Sequence, residues 1–97
     1  MNVDVLDPAK EDLANGYQFY EEQESGLGMI FLKSLLADIA KLAKIGGIHL
    51  VYHEPYHQMF SRKYPQAVYY FVENNTVFVD AVIDCRRDPD WIKERLN

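Results

Sequence analysis

The stretch AVYYFVENNTVFVDAVID, residues 67–84, constrains the fold of this chain more than any other segment. Two apolar runs, Ala67–Glu73 and Thr76–Asp84, flank Asn74-Asn75. Asparagine tolerates the positive φ that a two-residue hairpin turn needs, so the runs are expected to pair as antiparallel strands. With that turn, Glu73 faces Thr76, Val72 faces Val77, Tyr70 pairs with Val79 and Val68 with Ala81. Side chains alternate along a strand, so these residues and Ile83 should share one apolar face against a helical layer. Ala67, Tyr69, Phe71, Phe78, Asp80, Val82 and Asp84 should share the other, open face. Alternation carries Arg86 onto that open face and turns Cys85 and Arg87 toward the core side or its rim.

Upstream the apolar period changes from two to about 3.6. Asn2–Leu6 alternates like a short strand, and Asp7-Pro8 ends it and opens a helix, with Asp7 as a cap for free N–H groups. Leu13, Tyr17 and Tyr20 mark the inner side of that helix, which should run to about Gln23. The glutamates at 21, 22 and 24 read as a solvated acidic patch where a basic partner could land. Ser25-Gly26 breaks the chain. A second helix follows, with Leu27, Phe31, Leu35, Ile39 and Leu42 as its stripe and Leu32, Leu36, Ala40 and Ala43 widening it, until Gly46-Gly47 stops it. So short a break predicts an antiparallel helical hairpin. Residues 48–57 look loop-like around Pro55, Met59–Lys63 reads as a strand, and Pro65 closes it. Asp88-Pro89 repeats the cap-then-proline signal ahead of a short helix over Trp91–Leu96. The expected architecture is α+β: an N-terminal strand, an antiparallel helical hairpin, a three-stranded antiparallel sheet and a short C-terminal helix.

Bulk properties narrow the function classes. With 97 residues, the chain fits one domain, and 48% hydrophobic residues suffice for one core. A formal net charge of −5 argues against a general nucleic-acid coat protein. The single cysteine, Cys85, cannot close an internal disulfide, and no stretch reaches membrane-spanning length. A cytoplasmic protein that does not enter a membrane is expected.

Few residues offer chemistry. His49, His53 and His57 fall four apart and would line up on a helix, but Pro55 and the β-rich IHLVYH run deny them one. No metal site and no cofactor are expected. One of those histidines, or Glu54, could serve as a general acid or base. Cys85 reads as a strand-end core residue, since no Cys-His-Asn arrangement is legible. No phosphate-binding loop or GxGxxG is present. The open sheet face is the better candidate. It brings Tyr69, Asp84 and Arg86 together, and Arg62 or Lys63 could reach it from the preceding strand. Arginine and tyrosine on a concave sheet can hold a phosphate or an acidic peptide; alternatively Asp80, Asp84 and Arg86 pair with one another on a solvated face.

Two stretches together resemble the RelE/ParE superfamily of toxins from bacterial type II toxin–antitoxin modules. They are DLANGYQFYEEQESGLGMIFLKSL and RKYPQAVYYFVENNTVFVDAVIDCRRDPDWIKERL, which cover most of the chain in the family's order. The run P-x-A-V-Y-Y…V…V-x-V…RRDP is the more specific part, and the chain looks nearest to the ParE-like branch, sometimes described as plasmid stabilisation proteins. The resemblance implies one toxin domain over residues 1–97, a cognate antitoxin as partner and a hetero-oligomer with it. ParE-type relatives act on DNA gyrase; RelE-type relatives cleave mRNA in the ribosome with basic groups and a general acid/base.

The sequence departs from the nuclease pattern at three places. Ala67 stands where RNA-cleaving members have an Arg, Asp84 stands where many have a His, and no C-terminal Tyr is evident. Asp84 adds negative charge where a developing phosphate charge needs positive. The resemblance therefore implies a non-enzymatic gyrase inhibitor, with direct nucleic-acid contact not expected. The alternatives are a RelE-like endoribonuclease with displaced catalytic groups (Arg62, Lys63, Tyr69, Arg86) and a decayed toxin that only binds its antitoxin. Target contacts are expected from Arg62, Tyr69, Asp84, Arg86 and Arg87, and antitoxin contacts from Tyr17, Tyr20, Met29 and Ile30. Of the two adjacent arginines, Arg86 is expected at the site, and Arg87 is expected to tie the tail down through Asp88 or the first helix.

Overall fold

A computed structural model describes residues 1–96; Asn97, the last residue of the expected domain, lies outside them. The elements are β1 (Asn2–Val5), α1 (Asp7–Gln23), α2 (Leu27–Ala40), α3 (Leu42–Ile45), β2 (Val51–His53), β3 (Tyr56–Phe60), β4 (Gln66–Glu73), β5 (Thr76–Asp84) and α4 (Pro89–Leu96). They form one sheet in the order β1-β5-β4-β3-β2. β1 runs parallel to β5, and the other pairings are antiparallel. The α+β class is as expected, but the sheet has five strands. Pro55 does not break the 48–57 region: it occupies a turn, with a cis Glu54–Pro55 peptide, between β2 and β3. Proline in the turn costs the ladder no donor.

The β4–β5 turn is as the sequence predicts, with Asn74 and Asn75 both at positive φ (51° and 58°). From there the pairs Glu73–Thr76, Val72–Val77, Phe71–Phe78 and Tyr70–Val79 follow in order. The register then slips. Tyr69 pairs with Ala81, Val68 with Val82 and Ala67 with Ile83, leaving Asp80 as an extra residue on β5. A bulge places two consecutive side chains on one side of the sheet, and every residue beyond it changes face. So the expected pairing of Val68 with Ala81 is wrong. Val82 joins the helix-side core, whereas Ala81 and Ile83 turn to the opposite face.

Each face has its own core. On one face Phe31, Leu35 and Ile39 of α2 pack with Val68, Tyr70, Val77, Val79 and Val82 of the sheet. On the other face α4 lays Ile92 and Leu96 over Ala67, Tyr69, Ala81 and Ile83. The face expected to be open is therefore largely roofed by the C-terminal helix. A methyl group at Gly16 would overlap the Phe31 ring, which is how closely α1 and α2 approach. Gly26 takes φ of 97° to reverse the chain between them. The second helix is shorter than expected, since Lys41 separates α2 from α3, and Leu36 and Ala40 are exposed. Asp7 is the first residue of α1 and makes no cap bond, only a surface approach to Lys10 at 4.0 Å. Asp88 behaves as expected: its Oδ1 accepts from the Asp90 N–H at 2.9 Å and opens α4. The expected acidic patch loses Glu21, whose carboxylate accepts from the N–H groups of Gly26 and Gly28 at 3.0 Å and caps α2.

Candidate functional site at the C-terminal end of the sheet

β1 is too short to cover the whole of β5. Its last link is followed by Leu6 N–H donating to Val79 O at 2.9 Å. Beyond that point the β5 edge is open, and α1 closes it with a side chain. Asp12 Oδ2 accepts the Val82 N–H at 2.9 Å. The same carboxylate takes a two-pronged bond from Arg95 on α4, at 3.0 and 2.7 Å. The Asp12 and Arg95 side chains are only 11% and 25% exposed, which strengthens the pair. Donating to the Asp12 carboxylate holds the Arg95 guanidinium in its charged form and pushes its pKa up. One carboxylate thus ties together α1, the β5 edge and α4.

A cleft runs past this tie, lined among others by Asp12, Gln66, Asp84, Arg87, Trp91 and Arg95. Arg87 sits over the Trp91 ring, its guanidinium carbon 3.7 Å from the ring centre. It does not bond Asp88 or α1; the tail is tied down by Arg95. Asp84 turns outward and grips Arg86 at 3.0 and 2.7 Å. That pair is open to water, with Arg86 73% and Asp84 31% exposed. Hydrogen bonding to Arg86 lowers the Asp84 pKa, and the same bond raises that of Arg86. Asp84, Arg86 and Arg95 are thereby held in their charged forms at this end of the molecule.

The remaining expected site residues are distributed elsewhere. Tyr69 is fully buried beneath the α4 side of the sheet, its hydroxyl accepting from Gln58 Nε2 at 2.9 Å. Burial pushes its pKa up. It is a core residue and not an exposed target contact, because α4 covers the face on which it was expected to stand open. Asp80 is likewise engaged, accepting from the Tyr56 hydroxyl at 2.8 Å. Arg62 and Lys63 line a separate groove against α2 and do not join Arg86. Of the expected antitoxin contacts, Met29 and Ile30 are exposed on α2, and Tyr17 is half-buried beside Leu13 and Leu32. Tyr20 is packed inward, with its ring centre 5.0 Å from Phe31 and 5.1 Å from Tyr64.

The histidines do not converge as ligands. Among the described residues, no group of three or more His, Cys, Asp or Glu side chains is placed to hold a metal ion. His49 and His57 instead bracket Tyr70. His57 stacks on its ring at 5.0 Å and donates from Nδ1 to the His49 carbonyl at 2.8 Å. The Tyr70 hydroxyl accepts from Gly47 N–H at 3.2 Å and meets His49 Nδ1 at 2.7 Å. This cluster pins the loop after α3 to the sheet. Burial lowers the pKa of His49, with the nearby His57 acting in the same direction. Sequence reasoning missed the Asp12–Arg95 tie altogether, since the partners lie 83 positions apart. The alternation of Glu11-Asp12 with Leu13 on α1 gives no sign that Asp12 faces inward.

Comparison with known proteins separates sequence from fold. No family model matches, and no curated protein matches by sequence. A search of solved structures finds a chain described as "Chromosomal ParDE TA system from P. aeruginosa", with a TM-score of 0.77 over 87% of this chain and 95% of that one. The chain has a ParDE-type fold. The two share 12% sequence identity, so the likeness lies in the backbone path. Among the described residues, no helix is long and apolar enough to cross a membrane.

Proposed function

We propose that this chain is the toxin of a bacterial type II toxin–antitoxin module, ParE-like, acting by binding to DNA gyrase and neutralised by a cognate antitoxin. The observation that carries the reading is the ParDE-type fold over nearly the whole chain. Three features support it. Asp84 at the C-terminal cleft and Arg86 bonded to it are held in their ionised forms. Ala67, at the place where nuclease relatives have an Arg, is buried under α4. Met29 and Ile30 leave apolar surface on α2 for a partner. In this reading residues 1–97 are one toxin domain, cytoplasmic, in a hetero-oligomer with the antitoxin. Arg86, Asp84 and Arg87 face the target.

The test has two arms. Induced expression should arrest growth, and purified protein should inhibit supercoiling by gyrase. Normal supercoiling at saturating protein, with growth arrest intact, rejects the gyrase target. Toxin-dependent cuts in translated mRNA, read by primer extension, would assign the RelE-like activity instead. Loss of growth arrest together with retained antitoxin binding would mark a decayed toxin.

A further inference from the structure

The chain carries net charge −5, yet four of its ten cations rim one groove. Lys33 and Lys41 come from α2, and Arg62 and Lys63 from the connection between β3 and β4. The groove's one carboxylate, Asp38, is 5% exposed and is occupied in holding that connection. It accepts from Ser61 Oγ and from the Arg62 N–H at 3.3 Å each, and Lys41 approaches to 4.0 Å. Among the described residues, Lys33, Arg62 and Lys63 form no ion pair, whereas Lys10, Arg86 and Arg95 each have an aspartate. These four cations and Asp38 together carry +3, so the rest of the chain carries −8. Unmatched positive charge is therefore concentrated at one place on a negative molecule.

Between those charges the lining is Ile30, Ser34 and Ala37, apolar but for one hydroxyl. Ile30 is 54% exposed, and Ala37 lies one and a half to two turns further along α2. Apolar walls with a cationic rim complement a segment that carries both apolar and acidic side chains. We infer that this groove is a docking site for an acidic amphipathic segment of a partner protein. A polynucleotide fits it less well. No aromatic ring lines the groove among the described residues, so bases have nothing to stack on. A long polyanion would also be repelled by the negative remainder of the surface. The inference deepens the proposed reading, in which the Ile30 surface takes a partner, by assigning that partner's chemistry. If that reading holds, the neutralising protein is the obvious source of such a segment.

The test is a fluorescence titration of the full chain against three probes. They are a helical peptide with Leu on one face and Glu on the other, the same peptide with Ser at every Leu, and a single-stranded oligonucleotide. The Glu/Leu peptide should bind at least roughly tenfold more tightly than either control. Its affinity should fall as salt rises, because the rim charges are exposed and screened. Lys33→Glu combined with Arg62→Glu should weaken it by roughly tenfold or more, as two reversed surface charges would. Lys93→Glu, on α4, should leave it unchanged. Should the double variant melt early, Ile30→Ser provides the same readout through the apolar wall. Equal binding of the oligonucleotide, or wild-type peptide affinity in a folded variant, overturns the inference. Growth arrest is scored separately on the wild type, so failure of the toxin reading and failure of the groove are distinct results.

Discussion

Two arginine–aspartate pairs sit at the same end of this molecule with nearly the same geometry. Arg86 grips Asp84 at 3.0 and 2.7 Å, and Arg95 grips Asp12 at 3.0 and 2.7 Å. Their settings differ. The first joins residues two apart in open water, while the second joins residues 83 apart and also satisfies the Val82 N–H. Bond length therefore says little about what a pair does. Separation along the chain, burial and a third bonded group make Arg95–Asp12 a structural clasp. Exposure leaves Arg86–Asp84 free to exchange its partner for one on another molecule.

The comparison can be broken most directly at Asp12. Asp12→Ala leaves the Val82 N–H unmet and the part-buried Arg95 guanidinium with only its 3.4 Å bond to the Pro8 carbonyl, at a cost of about 2–3 kcal/mol. In a chain of this size that lowers the melting temperature by roughly 10–20 °C, readable by circular dichroism. Arg95→Ala should cost less, about 1–2 kcal/mol, because Asp12 keeps its bond to β5. If the two variants melt alike, the β5 edge bond contributes nothing and the clasp is only an ion pair.

Acid titration sharpens the comparison by isolating a third region. The folded pKa of His49 is depressed below 6.5, so the unfolded chain takes up that proton more readily. The associated stability is present above pH 6.5 and is lost as pH falls through the folded value. His49→Gln should flatten that loss in melts taken between pH 7 and pH 5, the range over which a histidine titrates. An unchanged acid profile would remove His49 from the account. The smallest stability effect is expected from Arg86→Ala. Its melting temperature should match the wild type, while growth arrest, under the proposed function, should disappear. A low-melting Arg86→Ala that still arrests growth would reverse the roles given to the two pairs.

Local signals made much of this legible. Asn74-Asn75 announced its turn, and Asp88-Pro89 announced α4, because each works through its own few residues. The resemblance carried by the VYYFV…RRDP stretch pointed to the fold that the ParDE chain shares. Non-local arrangements stayed hidden. Val79, Ala81, Val82 and Ile83 are all apolar, so the sequence supports either phase and does not reveal the slip at Asp80. β2 has three residues and derives its existence from β3, so it lacked a pattern of its own. Tyr69 looked available because nothing in its neighbourhood shows that Ile92 and Leu96 come back to cover it.

The extra residue at Asp80 works like a frameshift in a two-letter message of in and out. Before it, β5 spells a strand for the α1–α2 layer; after it, the letters are exchanged, and the strand spells a seat for α4. One insertion lets a single strand serve two clients. Drawing Asp80 into a regular ladder would return Ala81 and Ile83 to the helical side and Val82 to the other, taking the floor from under α4 and with it the cleft that α4 helps to build.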